Sequence, residues 1–204
     1  GDATLGGIDI WYLDTLGRLN TEERGTHLGS FEGDDQIIAF YKDGTYELTN
    51  YELTNRYDAE KLVKIEKFDE QSIYSAIYYD SEQKVSYAKR FQIETSTQDK
   101  KFLFISEAKR SELFYVSSEI PAVAEITYKD GRKNKSERIV LDEAVDVRGW
   151  KAVGNKLVDS KLVRAKVLEP TEKELEKFGK KPKNSESENI QETDDSKEKD
   201  LFSN

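Results

Sequence analysis

Side chains able to do covalent chemistry are few in this sequence. His27 is the only histidine among 204 residues and there is no cysteine. Ser-His-Asp catalysis would therefore have to run through His27, and a cysteine nucleophile, a disulfide framework or a thiolate zinc site is excluded. His27 sits in the glycine-punctuated stretch Arg24-Gly25-Thr26-His27-Leu28-Gly29 with no nucleophile-elbow pattern beside it. Asp34-Asp35 offers two carboxylates to a divalent cation, but no EF-hand spacing follows, and such a pair also serves as plain solubilising charge at a hairpin entry. No P-loop and no dinucleotide fingerprint occurs. The stretch reads as non-catalytic by itself, with no metal site and no cofactor of its own.

Basic residues are the remaining candidates. Lys89-Arg90 follows Tyr87, Lys109-Arg110 lies in a charged loop, and Arg132, Lys133, Lys135 and Arg138 follow an Asp-Gly turn. Taken singly, each is a solvated surface charge. Aligned on one edge of a fold, they would meet phosphates without reading bases. The formal net charge of −9 disfavours nucleic acid, yet residues 120–168 hold 11 basic against 7 acidic side chains. An acidic first part is joined to a mildly basic later part.

The elements that would position these residues are strands. Ile37, Ile38, Ala39, Phe40 and Tyr41 form a short continuous apolar run, the length of a strand buried on both faces. Asp43-Gly44 predicts a two-residue hairpin turn, and the returning strand alternates Tyr46 and Leu48 against Thr45, Glu47 and Thr49. The pentapeptide Tyr46-Glu47-Leu48-Thr49-Asn50 repeats at once as Tyr51-Glu52-Leu53-Thr54-Asn55, and the second copy is expected to cross into the next unit. Residues 8–12 and 18–19 flank a turn at Gly17, whereas 24–29 reads as loop. Further hairpins are predicted from 73–79 with 85–93, from 102–105 with 113–116, and from 122–128 with 139–141. Val145, Val147, Trp150 and Val153 lead into Gly154-Asn155, and 161–168 reads as a closing strand. Turn centres at Gly17, Gly44, Glu82 and Gly131 average about 38 residues apart, near the ~40–45 of a propeller blade. The expected class is all-β, a sandwich, barrel or propeller.

Pro170 closes the last strand. Thr171-Glu172-Lys173-Glu174 is a capping-box pattern for a two-turn helix ending at Gly179. Residues 180–204 are almost devoid of apolar side chains and are expected to be a disordered acidic tail, with Asp200-Leu201-Phe202 as an isolated apolar spot. The longest apolar run is five residues, far below the ~20 that cross a bilayer. Absence of cysteine fits a reducing compartment. The start at Gly1 and the lack of any Met suggest a piece of a larger protein.

Several stretches, taken in order, resemble a known family. Trp11-Tyr12 through Gly17-Arg18-Leu19-Asn20, Arg24-Gly25-Thr26, Gly33-Asp34-Asp35-Gln36-Ile37, Tyr41-Lys42-Asp43-Gly44-Thr45-Tyr46, Lys89-Arg90-Phe91 and Val147-Arg148-Gly149-Trp150-Lys151-Ala152-Val153-Gly154-Asn155-Lys156-Leu157 are similar to the C-terminal β-pinwheel of the A subunit of bacterial type IIA DNA topoisomerases, the topoisomerase IV and gyrase A family. The resemblance covers roughly residues 7–168. It implies a propeller-like partial ring of three or four four-stranded blades over 1–168, then a short helix and tail over 169–204. It further implies a basic outer rim that bends duplex DNA and presents it for strand passage, decatenation and relaxation. Lys89 and Arg90 match a blade motif and would lead the DNA contacts. Arg18, Arg24, Lys151 and Lys156 are further carry-overs, beside Lys109, Arg110, Arg132, Lys133, Lys135 and Arg138. Arg56-Tyr57 lacks the surroundings of the family's catalytic tyrosine, which belongs to a cleavage domain outside this stretch. The gyrase glutamine-arginine-glycine-rich box is absent here, which favours a topoisomerase IV-like role. The family implies ATP and Mg²⁺ held elsewhere in the holoenzyme, a B subunit, an A-subunit homodimer and a cytoplasmic, nucleoid-associated location with no membrane. The competing reading is a cytosolic β-propeller that binds proteins; a third is that the acidic tail competes with DNA for the rim.

Overall fold

Short apolar runs closed by turn formers become strands along nearly the whole chain. The structure, a computed structural model, describes residues 6–179. In chain order they are β1 (Ile8–Leu13), β2 (Arg18–Asn20), β3 (Thr26–Phe31), β4 (Ile37–Tyr41), β5 (Thr45–Thr49), β6 (Leu62–Lys67), β7 (Tyr74–Asp80), β8 (Val85–Phe91), β9 (Lys101–Leu103), β10 (Glu112–Ser117), β11 (Val123–Asp130), β12 (Lys133–Val140), α1 (Leu141–Ala144), β13 (Asn155–Val158), β14 (Leu162–Leu168) and α2 (Glu172–Phe178). Residues up to Pro170 belong to one compact unit, and Thr171 opens a second. In the second, Thr171 and Glu174 form the predicted capping box and Gly179 is the C-cap. The predicted tail lies outside the described residues.

Four antiparallel sheets result, in the orders β2-β1-β3, β6-β4-β5-β9, β10-β7-β8-β13 and β12-β11-β14. Each is a blade built on one tight hairpin, and those hairpins turn at the four centres marked in the sequence. The edge strands β3, β6, β10 and β14 lie beside one another from blade to blade. They are the inner strands; β2, β9, β13 and β12 are the outer ones.

The blades exchange strands. After the β7-β8 hairpin the chain steps back to lay β9 on β5, pairing Thr45 with Leu103 and Glu47 with Lys101, and then returns as β10. After β11-β12 it steps back again to lay β13 on β8 and returns as β14. The first blade has a vestige of the same step, the bridge of Arg56 with Arg18. Residues 102–105 and 113–116 are therefore not the predicted hairpin, because their strands belong to different blades. The link between them is tied across instead, with Phe104 N donating to Gly44 O at 3.0 Å and Leu113 N to Lys42 O at 2.8 Å.

Three apolar layers fill the spaces between successive blades. β4 feeds two of them, since alternate residues of a strand point to opposite faces. Ile37, Ala39 and Tyr41 pack toward the first blade, and Ile38 and Phe40 toward the third. The second layer is aromatic: Phe40, Tyr46, Tyr74, Phe91 and Phe104 have ring centroids 5.0–6.2 Å apart, contacts worth about 0.5–1.5 kcal/mol per pair beyond area burial. The third layer holds Ile77, Ala88, Tyr115, Ala124 and Ile126.

Several local expectations are corrected. Residues 26–29 are strand, not loop, because they pair with β1. The Asp43-Gly44 turn is not a two-residue loop: Gly44 N donates to Tyr41 O at 2.9 Å and Gly44 alone takes a positive φ of 83°, the pattern of a longer turn closed by a left-handed glycine. The second pentapeptide copy is irregular and folds back rather than forward. Its Tyr51 packs on the layer between the first and second blades, and its Leu53 is exposed. A sequence repeated in tandem cannot occupy the same strand position twice when only one edge is available.

Gly154, just before the exchanged strand β13, has φ 94°, and a Cβ there would stand 2.1 Å from the Ala88 carbonyl oxygen. Gly154→Ala is expected to destabilise the fold by on the order of 2 kcal/mol, read as a lower urea midpoint.

Candidate nucleic-acid interface

Lys89 and Arg90, which the resemblance puts first among DNA contacts, are enclosed. Lys89 is 2% exposed. It sits on the face of β8 turned to the second blade, where its Nζ donates to the Phe104 and Trp150 carbonyls, each at 2.6 Å. The ammonium also lies 5.1 and 5.7 Å from the Phe91 and Phe104 ring centroids. Burial pushes its pKa down to about 8. Arg90 points the other way, to the fourth blade, and forms an ion pair with Asp142 of α1 at 3.1 Å with side chains 11% and 5% exposed. It also donates to the Val145 carbonyl at 3.3 Å, while Asp142 accepts from Ala122 N at 2.8 Å. The Lys-Arg pair holds three blades together and is turned away from solvent; Arg90 Nε is buried with no hydrogen-bond partner.

The surface instead gathers cations on the outer strands. Each blade presents at least one exposed basic side chain there: Arg18 on β2, Lys101 on β9, Lys156 on β13, and Lys133, Lys135 and Arg138 on β12. Arg56, bridged to Arg18, adds a second guanidinium to the first blade. Lys100 and Lys101 stand over the Phe102 and Tyr41 rings at 5.1 and 4.4 Å, and Lys151 lies 5.0 Å from the Trp150 ring centroid. Lys156 pairs with Asp159 at 2.7 Å, a hydrogen bond that raises its pKa. Lys135, 3.6 Å from Glu137, is raised by Tyr128 and then Glu137. Arg132 occupies the β11-β12 turn and Arg138 donates to the Glu169 carbonyl at 3.0 Å.

Besides Arg132 and Lys151, three candidates are exposed but lie off these strands. Lys109 and Arg110 sit in the link to β10, where the Lys109 carbonyl accepts from Ser81 Oγ in the β7-β8 turn. Arg24 lies in the β2-β3 link beside Glu22 at 3.4 Å. Lys100, Lys101 and Arg56 were not candidates from sequence. Their rim positions come from strands laid back on an earlier blade, which no local pattern signals.

Acidic residues concentrate elsewhere. Asp34, Asp35, Asp69, Glu70 and Glu94 line a cleft of about 720 Å³ at the end of the second and third blades remote from their hairpin turns. Asp35 accepts from Glu32 N at 2.9 Å and pairs with Lys67 at 3.4 Å; the backbone hydrogen bond foremost lowers its pKa. Among the described residues no three potential ligands converge as a metal site. His27 Nε2 meets Asp9 at 3.0 Å, with the Trp11 ring tilted by 43° and its centroid 4.8 Å away. Tyr57 is buried, sharing a 2.6 Å hydrogen bond with Thr49.

An arc of interlocked antiparallel blades with cations on its outer strands defines the chain as a β-pinwheel. The family model for the topoisomerase C-terminal domain of Bacteroidota matches residues 18–169, and the chain belongs to that family. The crystal structure of the C-terminal domain of DNA topoisomerase IV superposes with a TM-score of 0.56 at 13% identity, over 83% of this chain and 63% of that one. That likeness is one of fold, and this chain spans less than two thirds of that domain. No curated protein matches it. Among the described residues no helix is long and apolar enough to cross a membrane.

Two outcomes follow from the enclosed pair. Removing the Asp142 carboxylate strands the Arg90 charge, so Asp142→Ala is expected to cost about 3 kcal/mol in chemical denaturation. Unfolded Lys89 holds its proton to near 10.5, folded Lys89 only to about 8. Between those values the unfolded chain binds more protons, so stability should rise with pH by on the order of 2 kcal/mol from pH 8 to 10. Above pH 10 the sign reverses, because burial holds the hydroxyls of Tyr41, Tyr74 and Tyr78 above their usual value and the unfolded chain loses protons first. Lys89→Met should abolish the rise in urea midpoint between pH 8 and 10 and keep the fall above it.

Proposed function

We propose that this domain binds and bends duplex DNA along its outer strands and presents it to the rest of a topoisomerase IV-like A subunit. The observation that carries the reading is the presence of an exposed basic side chain on the outer strand of all four blades. Such contacts meet the phosphate backbone and position a duplex without reading its sequence. Segregation of charge reconciles this with a net −9: the acidic cleft at the blade ends repels a duplex from that side and leaves the outer strands as the favourable track. The working set is Arg18, Arg56, Lys101, Lys133, Lys135, Arg138, Lys151 and Lys156, with Arg132 at the adjoining turn. Arg24, Lys109 and Arg110 lie beside it. Lys89 and Arg90 drop out as contacts and serve as the clamp that keeps the outer strands in line.

In the whole protein the bent duplex would feed ATP-dependent strand passage, decatenation and relaxation. ATP, Mg²⁺, the B subunit and the A-subunit homodimer are then handled by parts of the assembly other than these blades, in the cytoplasm with the nucleoid. A protein-binding propeller would not need cations repeated on every outer strand.

Titration of a labelled ~40 bp duplex at several salt concentrations is expected to give sequence-indifferent binding, with log K falling by ~0.9 per phosphate neutralised. Lys101→Gln, Lys135→Gln and Lys156→Gln together should flatten that slope by about 2 to 3. Lys89→Met, while folded, should leave it unchanged. Absence of binding at low salt would remove the DNA reading in favour of a protein partner.

A further inference from the structure

The fourth blade has two faces of unlike chemistry. Ala124, Ile126, Leu162 and Ala165 point into the layer shared with the third blade. By alternation the opposite face carries, beyond the buried Val123 at the start of the strand, Glu125, the buried Thr127 and Lys129 of β11. Their register partners are Arg138, Ser136 and Asn134 on β12, and Lys166 and Arg164 opposite Glu125 and Thr127 on β14. Four basic side chains thus share this face with one carboxylate, Glu125, which stands between Arg138 and Lys166. Lys129, Arg138, Arg164 and Lys166 are all exposed.

This face is not built like the junctions inside the arc. Those are apolar or aromatic, whereas stacking a blade here would take the Lys129, Arg164 and Lys166 charges out of water. The spacing suits a different occupant. Arg164 and Lys166, two residues apart on one strand, are about 6.8 Å apart along it, twice the ~3.4 Å axial step between phosphates of one DNA strand. Lys129 stands on the adjacent strand. β12 belongs to both surfaces, with Lys133 and Lys135 on one side of this outer strand and Arg138 on the other, so the cationic track turns from outer strand to sheet face at β12. A flat sheet has no groove-entering element, so contacts here are to phosphates.

We infer that the outward face of the fourth blade is a second phosphate-contact surface, holding duplex DNA that leaves the rim at β12 across β11 and β14. This rests on the DNA-binding reading of the rim. The test compares the full chain with a face variant, Lys129→Gln/Arg164→Gln/Lys166→Gln, and with the rim variant described above. Each is titrated with a short duplex that covers only the rim and with a longer one that can pass the corner. On the long duplex the face variant should lower the salt slope by about 2 to 3; on the short duplex it should match the unsubstituted chain. Its thermal midpoint should not move. An unchanged slope on the long duplex, beside a weakened rim variant, overturns this inference and leaves the rim standing. No binding by the unsubstituted chain overturns the rim reading itself. Self-association of the unsubstituted chain that the face substitutions dissolve would assign the face to a second copy and overturn the inference as well.

Discussion

The arrangement of blades depends on two consecutive side chains of β8 that point in opposite directions. A strand offers successive residues to opposite faces, and here Lys89 reaches into the second blade while Arg90 reaches into the fourth. Each binds the backbone at a strand-exchange crossing: Phe104 follows β9, and Trp150 and Val145 lie on the path to β13. Burying two cations is costly, and the cost is offset by carbonyls, ring faces and one carboxylate placed around them. An apolar pair could fill the same volume. It could not satisfy the carbonyls that the crossing segments bring inside, so charge is what lets the chain leave a blade and return.

Strand exchange explains how four small sheets make one unit. The outer strands of the second and third blades, β9 and β13, come from chain that follows the hairpin of the next blade, so these neighbours share covalent connection as well as an apolar layer. Contacts across these crossings span many residues in sequence. Such pairings carry a loop-closure cost before they are rewarded, and no blade that lends its outer position can be completed alone. The same device sets the surface. Because the outer strand is short and comes from elsewhere in the chain, its side chains face solvent at the edge of the arc, where Lys101 and Lys156 stand.

Net charge is a poor guide to this surface. The acidic excess is real, but Asp34, Asp69, Glu70 and Glu94 line a cleft at the blade ends away from the outer strands, and exposed charges farther apart than about 10 Å are largely screened at moderate salt. A polyanion therefore samples the local field of the outer strands rather than the total. Aromatic rings lie beneath the Lys100, Lys101 and Lys151 ammonium groups, a cation–π attraction that helps hold them in place.

Local pattern determined the hairpins, because apolar alternation and a positive-φ glycine act within a dozen residues. β4 and β5, the capping box at Thr171 and the four turn centres were all legible for that reason. The all-β class followed from them, and the order of the quoted motifs pointed to the pinwheel family. Partner choice was not legible. Whether β9 pairs with β5 or with β10 depends on which sheet edge is open and on what covers the crossing, and neither is a property of Lys101, Phe102 and Leu103 themselves. The candidate site shows the same division. Lys133 and Lys135 could be placed on the surface from their polar run after a turn, whereas Lys89-Arg90 reads in sequence as a basic surface pair. Only the tertiary structure turned it inward, since burial of a charge is decided by the carbonyls and carboxylate that distant segments bring to it.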